Sequence, residues 1–207
     1  MIPAMNDYQQ EQLAAFSIVR EGLSCMDGGQ RRRLIETTAD YMQFRRSVDD
    51  FHLRHVDAVC TPNCYRSRTS ACCSKDGIIT FFADAVVDVL HAPETRVDAL
   101  IRALGRVNNG HRCVYLADDG CMWTVRPVVC AMFLCDRAEK TVFAASPEAS
   151  AQWEALKAQE KRFKWPDRPV LFDHLEQVFL GLGYRSTLMH LNMSPGLLRV
   201  KRNAGLI

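Results

Sequence analysis

The sequence predicts a mainly α fold: a helical domain that carries a small β-hairpin and a loop-rich cysteine cluster organised around metal. Three observations predict it. Apolar residues recur at helical spacing over most of the chain, a strand-turn-strand pattern surrounds Asp119-Gly120, and eight of the nine cysteines fall within residues 60–135. This divides the chain into an N-terminal helical hairpin (1–56), a cysteine-rich metal-binding core (57–145) and C-terminal helices with a tail (146–207). No internal repeat or shift in composition separates them, so they are expected to form one compact domain.

With 207 residues, 48% of them hydrophobic and 24% charged, the chain can bury a real core. A formal charge of +2 gives no strong field toward nucleic acid or membrane, so nucleic acid is not an expected partner. The first residues lack the basic start and apolar run of a secretory signal, and nothing approaches a membrane helix. A cytoplasmic protein is therefore expected. In that reducing compartment clustered cysteines serve as metal ligands or redox groups more often than as disulfides.

Leu13, Phe16, Val19 and Leu23 mark a first helix that Gly28-Gly29 ends. Residues 30–56 contain no Gly or Pro, and Leu34, Tyr41, Phe44, Val48 and Phe51 share one stripe, which predicts a long amphipathic helix packed on the first. Arg31, Arg32 and Arg33 at its start read as a solvated face rather than a nucleic-acid patch. His52 and His55 lead from it toward the cysteines and are read as packing residues before metal ligands. Thr61-Pro62-Asn63 and residues 67–70 are loop chemistry, placing the first cysteines on turns. Residues 78–82 suit either a short strand or the start of a helix through Val86, Val87 and Leu90.

Pro93-Glu94 opens a further helix bearing Val97, Leu100, Ile101 and Leu104, ended by Gly105 or by residues 108–110. The hairpin follows; it can bring Cys113 and Cys121 near each other across its two strands, and Asp118 and Asp119 are explained by the turn. Pro127 starts a short helix through Cys130 and Cys135, whose thiols can share a site only if that helix ends between them. Two more helices cover residues 147–163 and 171–182, with Trp153 and Leu156 facing inward. Gly181-Leu182-Gly183 follows a helix and so is no phosphate loop. The final residues, 197–207, read as a tail.

The cysteines run C-x3-C-x7-CC at Cys60, Cys64, Cys72 and Cys73, then C-x7-C-x8-C-x4-C at Cys113, Cys121, Cys130 and Cys135. Thiolates are soft, anionic ligands that select zinc, copper(I) or iron-sulfur clusters over hard ions. A bound cation, helped by Arg66, Arg68, Lys75, Arg112 and Arg126, would offset their charge. Adjacent residues in extended chain diverge, so Cys72 and Cys73 do not naturally grip one ion. Two sites, or a polynuclear cluster with a spare thiol, follow. Cys25 stands apart and is read as a packing or incidental residue rather than a nucleophile.

Those residues carry a resemblance. The split cysteine set with its adjacent pair, then Cys113-Val114-Tyr115-Leu116, Gly120-Cys121 and Arg126-Pro127 before Cys130, resembles the YkgJ-type cysteine-cluster family of zinc- or iron-chelating proteins. That family is related to the cysteine-rich part of flagellin lysine N-methylases. It spaces its first cysteines near C-x2-C-x3-CC, whereas residues 65–71 lengthen that stretch here. The likeness implies a metal centre built from the eight cysteines, holding an iron-sulfur cluster of 4Fe–4S type or zinc. A redox, sensing or accessory role beside a protein partner is the expected function. The alternatives are a structural zinc that staples an interaction module and a lysine N-methylase-like enzyme, although no Gly-rich strand-turn-helix for a nucleotide-like cofactor is visible.

Overall fold

The computed structural model describes residues 5–66, 80–108, 113–117, 120–164 and 170–189. Helix α1 (Asp7–Cys25) starts in a capping box. The Asn6 side chain accepts the Gln9 N–H at 2.9 Å and Gln9 Oε1 accepts the Asn6 N–H at 3.2 Å. Asp27 and Gln30 make the same reciprocal pair ahead of α2 (Gly28–Thr37).

The single long helix expected over residues 30–56 is broken at Thr38, and α3 (Ala39–Phe51) restarts there. The cause is local. The fully buried Thr38 hydroxyl donates back to the Ile35 carbonyl at 2.9 Å and shares a 2.8 Å bond with His91 Nε2, competing with the regular ladder. The apolar stripe of the sequence survives the break, for Leu34, Tyr41, Phe44, Val48 and Phe51 are all buried.

Beyond Phe51 the chain stays helical where turns are expected. A π-helical turn (His52–Val56) leads into α4 (Asp57–Cys60) and a second π-helical turn (Thr61–Tyr65). Pro62 has no N–H for the α-type bond, the Asn63 side chain instead donates to the Val59 carbonyl at 2.6 Å, and the Arg66 N–H closes the wider ring onto Thr61 O at 3.1 Å.

Helix α5 (Phe82–His91) resolves the choice at residues 78–82 for its last member: Phe82 is helical, and its N–H bonds Leu188 O at 3.0 Å. Helix α6 (Glu94–Leu104) buries Val97, Leu100 and Leu104 and ends at Gly105. Strands β1 (Leu116–Ala117) and β2 (Gly120–Cys121) pair antiparallel, Leu116 opposite Cys121, and Gly120 takes the positive φ of 121° that this turn needs. Then come α7 (Val128–Ala131), α8 (Asp136–Ala145), α9 (Pro147–Lys164) and α10 (Leu171–Gly181). Helix α8, absent from the sequence reading, turns only Ala138 and Val142 inward. The expected tail, 197–207, lies outside the described residues.

Packing departs from the expected N-terminal hairpin. The main partners of α1 are α5 and α6, whereas α3 packs on α9; α5 and α9 both lie on α10, which joins the two groups. One contiguous core results, with Tyr41 in edge contact with Phe163 and Phe172 (ring centroids 5.2 and 5.5 Å apart) and Phe16 against Trp123 at 5.2 Å. Near the end of α1, Gly22 lies where a Cβ would come within 2.5 Å of the Phe179 ring, itself fully buried and wedged against Phe82. Gly22→Ala is therefore expected to lower stability by about 1–3 kcal/mol. Urea unfolding of the variant with an unchanged midpoint would refute that close approach.

Candidate metal centre

Cys113 lies in the turn before β1, its carbonyl accepting the Leu116 N–H at 3.1 Å, while Cys121 ends β2. The hairpin holds both near the Tyr115 hydroxyl, which donates to Gln12 Oε1 on α1 at 3.3 Å. Burial first, then the negative charge of Cys113 and Cys121, raises the Tyr115 pKa, so the phenol stays protonated. The expected pairing of the two cysteines across the strands is not what the register gives: Leu116 lies opposite Cys121, and Cys113 precedes β1.

Cys130 sits on α7, a helix too short to hold itself. Four contacts from other elements hold it. Asp84 Oδ1 accepts the Val128 N–H at 2.9 Å, supplying the N-terminal acceptor that Pro127 lacks, and Asp88 Oδ1 accepts the Val125 N–H at 2.7 Å. Arg45 Nη1 donates to the Arg126 carbonyl, and His52 Nε2–H donates to the Ala131 carbonyl at 2.7 Å. Burial lowers the His52 pKa and keeps the ring neutral, so His52 is a packing and positioning residue. His55 packs against Phe51 with the rings tilted, centroids 5.0 Å apart.

Helix α7 ends at Ala131 and Cys135 becomes the N-cap of α8, its carbonyl accepting the Glu139 N–H at 2.9 Å. The condition for Cys130 and Cys135 to share a site, a helix ending between them, is met. Cys60 closes α4, which packs against α8 and the first π-helical turn. The backbone of Cys64 follows about one helical turn later, so neither cysteine rides on the turn expected for it. Cys72, Cys73, Asp118 and Asp119 lie outside the described residues. Cys60, Cys113, Cys121, Cys130 and Cys135 are all half-buried thiols.

A residue that the sequence reading passed over lies in the same region. The Tyr8 hydroxyl, on the first turn of α1, is enclosed and has no hydrogen-bond partner among the described residues. Its pKa is raised by burial first, then by Tyr115, Cys113, Cys130 and Cys121. The first turn of α1 is itself pinned, for Gln9 Nε2 donates to the carbonyls of Leu104 at 2.6 Å and Arg106 at 2.8 Å. Among the described residues no group of three or more His, Cys, Asp and Glu is close enough to hold a metal ion, so the expected eight-cysteine cluster is not assembled within them.

Cys25 lies at the other end of α1, exposed, its Sγ 3.9 Å from the Tyr184 hydroxyl. Seventeen residues of helix put it about 26 Å along the axis from Tyr8, outside any site the other cysteines can form. A cleft of about 520 Å³ opens at that same end, lined by Met26, Arg33, Leu34, His174, Val178 and Leu182 among others. Arg31, Arg32 and Arg33 are all exposed there, as a solvated face would be.

Asp84, Asp88 and Arg45 were also missed. The signal was present: Asp84 and Asp88, one turn apart, interrupt an otherwise apolar helix, and a carboxylate that faces inward needs a partner. No family model matches this chain, and no curated protein or solved structure gives a match. No helix among the described residues is long and apolar enough to cross a membrane.

Burial outweighs the backbone bonds and the Arg45 charge on Asp84, and its pKa is raised to about 6, as is that of Asp88. The folded state then keeps a proton that the unfolded chain, at the ordinary 3.8, has already released. Stability is consequently lost as pH rises from about 4 to about 6. Asp84→Asn cannot ionise, so the stability of the wild type relative to this variant is expected to fall by about 1–3 kcal/mol across that window. Parallel stability curves for the two proteins would exclude the carboxylate from this role.

Proposed function

We propose that the chain is a metal-binding protein of the YkgJ type that holds an iron-sulfur cluster on thiolates drawn from Cys60, Cys64, Cys72, Cys73, Cys113, Cys121, Cys130 and Cys135. The observation that carries the reading is the concentration of eight of the nine cysteines within residues 60–135, of which Cys60, Cys113, Cys121, Cys130 and Cys135 are half-buried. Thiols clustered in one stretch of sequence suit a soft cation as ligands. When bound, such a centre supplies one-electron chemistry or a sensor of oxidants. The chain's own part is to hold the ligands: Asp84 and Asp88 fix the approach to Cys130, and the hairpin fixes Cys113 and Cys121. The role is redox, sensing or accessory, beside a protein partner.

A second reading is favoured by a separate observation. Strands of two residues each and a four-residue α7 are too short to be stable alone, and they carry Cys121 and Cys130. A structural zinc would staple them. Anaerobic purification followed by metal and acid-labile sulfide analysis decides: iron with sulfide supports the cluster, stoichiometric zinc alone supports the staple, and neither metal removes both.

Cys130→Ser is expected to lose most of the bound metal and several degrees of melting temperature, because one ligand and the restraint on α7 go together. Cys25→Ser, remote along α1, keeps both at wild-type values. Equal loss in the two variants would show that the site is drawn in the wrong place.

A further inference from the structure

Helix α2 has little to hold it in place. A helix of ten residues is marginal in water by itself, and of the ten in α2 only Leu34 is buried. Its main neighbour is α3, whereas α10 packs on α5 and α9, so α2 and α10 flank the cleft of about 520 Å³ rather than packing together. Charge adds to the strain. Arg31, Arg32 and Arg33 sit in the first half of a helix whose N-terminal end is already positive, where cations oppose the dipole. None of the three joins an ion pair among the described residues.

The walls of the cleft are two helix faces. Arg33, Leu34 and Thr37 line it from α2 and His174, Val178 and Leu182 from α10, at helical spacing, and Met26 at the end of α1 adds a buried apolar side chain. Half of the lining is apolar, Arg33 is its cation, and it holds no Asp or Glu. Arg33 Nη1 lies 3.6 Å from the position a Cβ on Gly29 would take, so the guanidinium rests over a residue with no side chain to cover it. The volume falls within the roughly 300–1,000 Å³ of small-ligand sites, which combine an apolar lining with a few placed polar groups. We propose that this cleft binds a small amphipathic carboxylate, its apolar chain against Met26, Leu34, Val178 and Leu182 and its head on the Arg33 guanidinium. A carboxylate offers two oxygens to the two parallel N–H groups of a guanidinium, and its charge answers the three arginines of α2. The chain covers Leu182, 42% exposed without it, and gives α2 the apolar contact with α10 that it lacks. The site lies at the end of α1 remote from Tyr8 and is independent of the metal-centre reading.

The test is a nitrogen-15 NMR titration of the full chain with octanoate, and with acetate and octylamine at the same concentrations. Octanoate is expected to saturate, shifting the amides of α2 and of the end of α10 near Leu182. Acetate, which lacks the chain, and octylamine, which has the wrong charge, are expected to bind at least about 10-fold more weakly. Arg33→Gln, at an exposed position, weakens octanoate about 10-fold or more, whereas Arg32→Gln, on the same helix but outside the lining, stays within about twofold of the wild type. Four outcomes overturn the inference: no saturable shift in the wild type up to about 10 mM octanoate, octylamine as tight as octanoate, Arg33→Gln unchanged, or an equal loss in Arg32→Gln. If the same amides shift on dilution without any ligand, a second copy of the chain covers the cleft, and the inference falls as well.

Discussion

The structure depends on two aspartates that face the wrong way for their chemistry. Asp84 and Asp88 project from α5 into the interior and accept the N–H groups of Val128 and Val125, the residues that lead into and open α7. Burying a carboxylate is costly, and here the backbone donors and, for Asp84, the buried Arg45 offset only part of that cost, which leaves both carboxyls with raised pKa. Arg45 in turn bonds Tyr41 and the Arg126 carbonyl, so α3, α5 and the segment before α7 form one polar joint inside an otherwise apolar core. Without that joint the stretch from Trp123 to Ala131 has little regular structure to direct it, and the position of Cys130 would be open.

Helix α1 plays the complementary part. Its middle and end are apolar, where Phe16, Val19 and Leu23 are buried, but its first turns carry Tyr8, Gln9 and Gln12 inward. Gln9 and Gln12 bind the exit of α6, Thr80 and the hairpin tyrosine, tying together three segments that flank stretches of the cysteine region. The same helix is a packing element at one end and a polar scaffold at the other, and it keeps Cys25 well away from the remaining thiols.

Much of this was legible in the sequence because the signals are local. Helical periodicity located α1, α5, α6, α9 and α10 and their inward residues, Asp-Gly located the hairpin, and Pro127 located α7. What was not legible depended on long-range partners. Thr38 breaks a Gly- and Pro-free helix only because His91, far along the chain, takes its hydroxyl. Helix α8 buries just two small apolar side chains, too faint a stripe to read. Tyr8 and the paired aspartates look like surface residues until α5, α6 and the hairpin close over them. Cysteine count, by contrast, raises an expectation of soft-metal chemistry from composition alone, while the spacing says little about which backbone carries each thiol, as Cys60 and Cys64 on a helical path illustrate.

The two π-helical turns at His52–Val56 and Thr61–Tyr65 have a geometric consequence of their own. Each accommodates one residue more than an α-helical turn would, and every residue of an α-helix advances the azimuth by about 100°. The turns therefore act as phase shifters, setting the direction in which the chain leaves the core-facing stripe of α3. A chain one residue shorter before Cys60 would arrive there about a quarter-turn out of phase, directed toward a different neighbour than α8. In this segment chain length, as much as residue identity, is under constraint.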